Sequence, residues 1–300
     1  MSSVGAEVSA SDISSRARRI VDVLSQKFPS RNGLYAGNLS RAADFVEQEF
    51  SSLGMKVESQ AYGTYSSRVR NLIVEKRGRN HSKPLILIGA HYDTVINTAG
   101  ADDNASGVAG LLELVRLLRD YPNERTIQFV AFTLEEPPYF YTPKMGSRMY
   151  AKRLKLDRTK LQLMISLEMI GYGGEELKQS YPFPLMRTLG GYPKEGNFIG
   201  IVGNLRTRRM VSMVKRAMRQ ACSIGVESLS APGFLPPLYL SDHSSFWKSG
   251  YPALMITDTA FLRNPNYHQS SDTENTLNYG FLAEVVKGVF GAVVALDTLQ

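Results

Sequence analysis

The sequence predicts an α/β fold, a three-layer α/β/α sandwich around a mixed, largely parallel central sheet. Apolar runs of strand length alternate along the chain with longer segments in which apolar residues recur at helical spacing. The run at 85–90 is apolar throughout, which is typical of a parallel strand covered on both faces. Because 300 residues with 43% apolar content can bury a large core, we expect a single domain over residues 1–300, with residues 1–12 disordered.

The first part of the chain predicts two helices and two strands. Helices are expected at 13–28 and 40–53, where apolar residues lie three and four positions apart, and Gly54 is placed to end the second helix. Short strands are expected at 56–62 and 69–75.

From residue 85 onwards, strands and helices alternate regularly. Strands are expected at 85–90, 126–133, 161–167, 197–202 and 252–256, and helices at about 105–118, 146–153, 207–222 and 279–299. This alternation favours helices on both faces of the sheet.

Composition restricts the classes of partner and compartment. The formal charge of +7 comes from scattered basic residues without a long basic tract, which indicates a solvated surface and no nucleic-acid partner. Cys222, the single cysteine, is expected to be a small buried hydrophobe. The amino terminus has no secretory pattern and no apolar run reaches ~18 residues, so we expect a cytoplasmic protein without a membrane partner.

Acidic and imidazole side chains follow three of the predicted strands directly. His91 and Asp93 follow the first of these strands, Glu135 and Glu136 the second, and Glu168 the third. Ligands bind at the carboxyl ends of strands in open α/β sheets, so we expect these side chains to converge at one edge.

Further donors lie outside the strand ends. Segment 100–107 is rich in small residues that let the backbone approach an ion, so Asp103 is placed to bridge two metals, whereas Asp102 is expected to cap the following helix. His268 supplies a second imidazole from a loop. With Asp103 counted, five carboxylates would share the site, and they would repel one another unless cations held them.

The ordered set of short motifs resembles that of the co-catalytic di-zinc aminopeptidases, whose relatives include glutaminyl cyclases and the transferrin-receptor protease-like domain. The resemblance covers about 42–276 and implies a zinc exopeptidase-like fold. The residues that carry it are His91-Tyr92-Asp93, Asp103-Asn104-Ala105-Ser106-Gly107, Glu135-Glu136, Glu168-Met169-Ile170-Gly171-Tyr172, Ser241-Asp242-His243 and Tyr267-His268.

The resemblance implies a ligand set for two zinc ions. One zinc would take His91 and Glu168, the other would take Glu136 and His268, and Asp103 would bridge them. Related enzymes usually have aspartate at the position of Glu168, so the extra methylene leaves the metal-binding mode of this carboxylate open.

The resemblance also implies catalytic roles. Glu135 matches the general base that takes a proton from the attacking water and passes it to the leaving amine. Tyr267 matches the residue whose hydroxyl stabilises the oxyanion, and Asp93 matches the carboxylate that orients the His91 ring. The Asp103–Asn104 peptide bond is expected to be cis.

These residues predict a zinc-dependent aminopeptidase acting on peptides with a free N-terminus, because a free amine suits a carboxylate-rich pocket. A glutaminyl cyclase with one zinc is the alternative, although Tyr267 stands where cyclases have tryptophan. A carboxypeptidase would need an arginine to bind the substrate carboxylate, and a metal-free binding module would have no evident use for Glu135.

Three further segments have two interpretations each. The aromatic stretch 139–141 and the loop 173–196 fit either ordinary packing or walls of the substrate pocket, and as walls they favour an apolar first residue. Asp242 and His243 fit either a helix cap with a packed neighbour or a place beside the metal or the substrate.

Overall fold

The computed structural model describes residues 9–64, 67–181, 191–232, 235 and 238–299. Its strands form one eight-stranded sheet in the order β1-β2-β4-β3-β5-β8-β6-β7. Their bounds are β1 Glu58–Gly63, β2 Arg68–Lys76, β3 Leu85–His91, β4 Ile127–Phe132, β5 Leu161–Glu168, β6 Phe198–Asn204, β7 Gly225–Ala231 and β8 Ala253–Thr257.

The sheet is mixed, as predicted. The neighbouring pairs β4–β3, β3–β5, β5–β8 and β6–β7 are parallel. The pairs β1–β2, β2–β4 and β8–β6 are antiparallel. The α/β fold class is therefore confirmed, and the three central strands β4, β3 and β5 direct their carboxyl ends towards the same edge.

Helices cover both faces of the sheet. They are α1 Ala10–Asp22, α2 Ala36–Ser52, α3 Gly107–Leu118, α4 Gly146–Leu156, α5 Arg208–Ala221, α6 His243–Ser249 and α7 Tyr279–Asp297. The larger apolar cluster joins one sheet face to α1, α2, α3, α5 and α7, and the smaller cluster joins the other face to α4 and α6. Alternating residues of each strand pack into one cluster or the other, because successive side chains of a strand point to opposite faces of the sheet.

Helix α7 is apolar around most of its circumference. By length and composition it is the one helix in the described part of the chain that could cross a membrane, and 61% of its most apolar window is buried here. It packs against α5, α1 and α3, so its apolar surface belongs to the core of this fold.

Several element bounds differ from the predictions. Helix α1 begins at Ala10, inside the segment 1–12 that the sequence predicts to be disordered, because Ile13 and Ala17 anchor its first turns in the core. Residues 1–8 lie outside the described residues. Strand β7 had no clear sequence signal, since it is a partly exposed edge strand. Helix α6 has only seven residues and was indicated only by one of the two interpretations of Asp242 and His243.

Candidate metal centre

The predicted site residues meet at the carboxyl edge of β4, β3 and β5. His91 and Glu168 end β3 and β5, and Asp93 lies two residues after His91. Glu135 and Glu136 follow β4. Asp103 lies in the turn Ala101–Ser106 that precedes α3, and Tyr267 and His268 come from the long connection between β8 and α7. The edge therefore brings together all eight residues.

A small cavity of about 70 Å³ marks the centre. Its lining residues include Asp103, Glu135, Glu136, Glu168, Tyr267 and His268. His91 and Asp93 lie behind this lining and are 0% and 1% exposed, respectively.

Asp103 divides the centre into two halves. Its Oδ1 lies 3.4 Å from His91 Nε2, and its Oδ2 lies 3.2 Å from His268 Nε2. Glu168 Oε2 is 3.3 Å from His91 Nε2, and Glu136 Oε1 is 3.4 Å from His268 Nε2. The geometry thus separates a His91–Glu168 pair from a Glu136–His268 pair, with one oxygen of Asp103 facing each.

The donor atoms fit divalent metal ions. In each of the groups His91–Asp103–Glu168 and Asp103–Glu136–His268, one ligand atom per residue lies within 4.8 Å of the others. Among the described residues none donates a hydrogen bond to the buried Asp103 Oδ1, although buried carboxylates are normally paired. Imidazole with carboxylate is a donor set that binds divalent transition metals.

The charges around the two histidines also favour a cation at this centre. Burial disfavours the charged histidines, but the carboxylates of Glu168 and Glu135 outweigh it and raise the pKa of His91 well above its ordinary value. Although burial opposes the cation here too, Asp103 and Glu136 raise the pKa of His268 to about 10. The surrounding carboxylates therefore favour positive charge at the position of both imidazoles, as a site for divalent cations requires.

Glu135 belongs to neither of these two groups, although its carboxylate forms a third compact group with His91 and Glu136. Its Oε2 is 3.9 Å from His91 Nε2, and it is 5% exposed at the cavity wall. Burial raises the pKa of its carboxyl well above the ordinary value; His91 opposes this shift, and Glu136 and Glu168 reinforce it. A carboxylate in such surroundings accepts a proton readily.

The side chain of Asp93 holds the segment that carries Glu135 and Glu136 in place. Asp93 accepts hydrogen bonds from the backbone N–H groups of Glu135 and Glu136 at 3.1 and 3.0 Å, while its Oδ1 is 3.6 Å from His91 Nδ1. The Asp93 side chain therefore positions two carboxylates. The His91 ring instead has its Nδ1 3.2 Å from the Asp93 backbone carbonyl oxygen, so the predicted role of the Asp93 carboxylate in orienting this ring stays a prediction.

Two further supporting residues had no role assigned from the sequence. The Asp272 carboxylate accepts hydrogen bonds from the backbone N–H groups of Asp102 and Asp103 at 2.9 and 3.1 Å. Ser241 Oγ donates to Glu168 Oε2 at 2.6 Å. Ser241 lies in a motif that carries the resemblance, but its partner becomes evident only from the fold.

Asp102 does not cap a helix, which corrects the expectation from the sequence. Helix α3 begins at Gly107, after the turn, and the Asp102 carboxylate instead accepts hydrogen bonds from Gly171 N at 3.0 Å and Asn264 Nδ2 at 2.7 Å. The Asp103–Asn104 peptide bond is cis, as the resemblance implies.

An apolar groove of about 180 Å³ opens beside the centre and shares Glu168, Leu240 and Tyr267 with it. It lies over β8, β6 and β7, and its other lining residues include Tyr181, Tyr192, Phe198, Gly200, Leu229, Met255 and Phe261. The loop 173–196 thus contributes walls through Tyr181 and Tyr192, while residues 182–190 of that loop lie outside the described residues.

The structure also gives the positions of the aromatic stretch 139–141 and of Asp242 and His243. Phe140 lines the metal cavity, Tyr139 is buried in the core, and Tyr141 is exposed. His243 begins α6 and Asp242 precedes it; both are 0% exposed, and neither lines the cavity or the groove.

Comparison with known proteins assigns the chain to a family. The model of peptidase family M28 matches residues 71–293. The chain belongs to this family. The uncharacterized protein YfbL of Escherichia coli strain K12 is 41% identical to this M28 peptidase over 280 residues, which are 90% of this chain and 84% of YfbL. A probable leucine aminopeptidase of Trichophyton verrucosum is 23% identical over 311 residues, with 99% of this chain and 75% of the relative covered.

Solved structures share the fold of this M28 peptidase. BSAP, a zinc aminopeptidase from Bacillus subtilis, superposes with a TM-score of 0.69 at 16% identity and covers 93% of this chain and 94% of its own. The Tannerella forsythia glutaminyl cyclase gives 0.67 at 20% identity over 97% and 99% of the two chains. The predicted family and the class of metallo-exopeptidase are confirmed.

Proposed function

We propose that this M28 peptidase is a zinc-dependent aminopeptidase that holds two zinc ions and hydrolyses the first peptide bond of peptides with a free N-terminus. The observation that carries the proposal is the divided contact of Asp103, one oxygen towards His91 and the other towards His268. His91 and Glu168 would hold one ion, Glu136 and His268 the other, and Asp103 both. When bound, zinc would supply Lewis-acid activation of water and of the scissile carbonyl.

Glu135 acts as the general base in this proposal. Its carboxylate lines the cavity without being needed in either half-site, and its raised pKa suits a group that takes a proton from water and gives it to the leaving amine. The hydrogen bonds from the backbones of Glu135 and Glu136 to Asp93 hold the base beside the ligand.

Tyr267 is placed to stabilise the oxyanion. It lines both the metal cavity and the groove, where a carbonyl at the first peptide bond would lie, and its ring stacks on His268 with centroids 3.8 Å apart. Burial raises the pKa of the Tyr267 hydroxyl above its ordinary value, so the group keeps its proton and can donate it in a hydrogen bond at neutral pH.

Charge favours recognition of the amine end of the substrate. Among the described residues that line the cavity and the groove there is no lysine or arginine to bind a substrate carboxylate. The lining carboxylates attract an ammonium group instead. The apolar groove beside them suits an apolar first side chain.

The test combines metal content with amine dependence of cleavage. We expect about two zinc ions in the wild type and amino-acid release from unblocked but not N-acetylated peptides. Glu135→Gln removes the proton acceptor while preserving size, and we expect kcat to fall by roughly 10²- to 10⁴-fold with unchanged zinc content. Metal content is measured by mass spectrometry and cleavage by chromatography.

Glu124→Gln is the matched control, because Glu124 is a partly exposed carboxylate at the amino end of β4, away from the centre. It should retain wild-type activity. Equal cleavage of blocked peptides would contradict the proposal. Ring closure of N-terminal glutamine by a protein with one zinc would assign it as a glutaminyl cyclase instead.

A further inference from the structure

Arg31 is an arginine that is fully buried behind the metal centre. Its guanidinium donates four hydrogen bonds, all to backbone carbonyl oxygens: Tyr92 at 2.7 Å, Leu24 at 3.1 Å, Ala99 at 2.7 Å and Gly100 at 2.6 Å. In the part of the chain that the structure describes, it forms no ion pair. A buried cation that binds only carbonyl groups is costly and therefore calls for an explanation.

The carbonyl groups that Arg31 binds belong to two ligand-bearing segments. Tyr92 lies between His91 and Asp93, while Ala99 and Gly100 directly precede the turn that carries Asp103. One planar guanidinium therefore ties the end of β3 to the turn before α3. The fork geometry of arginine permits this because its N–H groups point in fixed directions.

The backbone at Gly100 is adapted to this contact. Its φ of +62° lies in the left-handed region, and a Cβ atom there would lie 2.2 Å from Thr94 Cγ2 and 3.0 Å from Arg31 Nη2. Glycine is therefore required where the turn passes over the guanidinium.

The neighbouring residue extends the support to the third ligand-bearing segment. Asn32 Nδ2 donates to the carbonyl oxygens of Thr94 at 2.6 Å and Pro137 at 3.1 Å, and Pro137 directly follows Glu135 and Glu136. The pair Arg31–Asn32 therefore contacts the backbone beside three of the five candidate ligands: His91, Asp103 and Glu136.

Arg31 also brings positive charge to a carboxylate cluster. Burial lowers the pKa of Arg31 to about 10, and Asp272, Asp93, Asp103 and Glu136 act in the opposite direction. The side chain thus stays charged at neutral pH. Its charge offsets part of the repulsion among these carboxylates without occupying a ligand position.

We infer that Arg31 is a positioning residue for the metal centre, which holds the His91 and Asp103 segments in place before metal binds by tying their carbonyl groups together beneath the carboxylate cluster. The inference rests on the proposed function in one respect: it takes the centre to bind metal.

Arg125 offers a matched control. It is also a buried arginine that donates to backbone carbonyl oxygens, at 2.6 Å to Leu299 and 3.3 Å to Leu296. It precedes β4 at the amino edge of the sheet, opposite the metal centre. Arg31→Gln and Arg125→Gln thus remove the same group at two ends of the same fold.

The experiment measures zinc affinity by competition with a chromophoric chelator and hydrogen exchange of the metal-free protein. We expect Arg31→Gln to weaken zinc binding by about tenfold or more, as loss of a supporting contact typically does. Amide protection at 91–105 should fall in the metal-free variant. Arg125→Gln should keep zinc affinity within about twofold of the wild type. Arg31→Lys keeps the charge but not the planar set of N–H donors, so its zinc affinity should lie between those of Arg31→Gln and Arg125→Gln.

Unchanged zinc affinity and unchanged protection in folded Arg31→Gln would overturn the inference. If Arg31→Gln does not fold, the zinc affinity of Arg31→Lys provides the test. A zinc affinity of Arg31→Lys equal to that of the wild type would also contradict a positioning role. A wild type that binds no zinc would instead refute the proposed function, and the hydrogen-exchange comparison would still test whether Arg31 orders the two segments.

Discussion

Glu168 shows how a single side chain is accommodated in the centre. Aspartate is usual at this position in the enzymes that the motifs resemble, and the longer side chain could have displaced the carboxylate. The structure places Glu168 Oε2 3.3 Å from His91 Nε2 and within 2.6 Å of Ser241 Oγ. The hydrogen bond to Ser241 fixes the longer side chain, so Glu168 remains able to serve the same half-site.

His243 gives the protein a specific sensitivity to acid. It is fully buried, and its Nε2 lies 2.7 Å from the Leu238 carbonyl oxygen, to which it donates when neutral. Burial lowers its pKa to about 4 from 6.5. The unfolded chain therefore takes up the proton first, and the stability that depends on a neutral His243 is complete above pH 6.5 and is lost as the pH falls towards 4.

We expect His243→Gln to reduce this pH dependence, because glutamine can donate to Leu238 without titrating. Between pH 6.5 and 4, the variant should gain up to about 3 kcal/mol of unfolding free energy relative to the wild type. Urea unfolding with a chelator present measures this without a contribution from metal loss. His81→Gln, at an exposed histidine, is the control, and a constant difference across this range for His243→Gln would contradict the prediction.

At the scale of elements, the sheet itself builds the groove beside the metal centre. Glu168, Thr257, Gly200 and Glu227 stand opposite one another on the adjacent strands β5, β8, β6 and β7. Residues in such a row point to the same face of the sheet. Since Gly200 has no side chain, the floor of the groove is open next to the centre.

We expect Gly200→Leu to change selectivity for the first residue of the peptide. A Cβ atom at this position would approach the Thr257 carbonyl oxygen to 3.2 Å, which is tight but tolerable, and the side chain would fill the groove. Catalytic efficiency, kcat/KM, should fall about tenfold or more for peptides that begin with leucine or phenylalanine and change little for those that begin with alanine.

The matched control is Gly63→Leu on the edge strand β1, where a Cβ atom meets no heavy atom within 4 Å. It should leave both kinds of peptide unaffected. An equal loss for alanine and leucine peptides in Gly200→Leu would show that the groove does not hold the first side chain.

At the scale of the whole molecule, metal binding and folding are linked. The carboxylates of the centre come from segments that span residues 93–168, and His268 adds a still more distant part of the chain. Ligands so far apart in sequence converge only in the folded state, so metal bound there stabilises the fold by mass action.

Chelation should therefore lower the melting temperature of the wild type. At a free metal concentration of about a thousand times Kd, the linkage is worth about 4 kcal/mol, which corresponds to roughly 6 °C for a chain of this size. Asp103→Ala removes the residue that faces both halves and should lose most of this shift. Calorimetric scans with and without chelator measure the melting temperatures of the wild type and of Asp103→Ala. An equal shift of the melting temperature in the two proteins would contradict the assignment of Asp103 as a ligand shared by both half-sites.

The sequence predicted the donors better than their supports. His91, Glu135, Glu136 and Glu168 each end or directly follow an apolar strand, so strand direction alone brought them to one edge. The prediction that Asp102 caps a helix was wrong, because its hydrogen-bond partners, Gly171 and Asn264, are remote in sequence.

The sequence by itself determined the α/β class and the edge of the sheet at which the candidate donors lie, since strand periodicity and strand ends are local properties of the chain. The resemblance of its short motifs added the candidate ligand set and its division into two half-sites. Tertiary structure alone decided where the groove opens and which side chains hold the centre together. Asp272 binds the backbone of Asp102 from 170 positions away, and Arg31 binds Gly100 from 69. Contacts over such separations form only when the whole fold is assembled, so no local pattern records them.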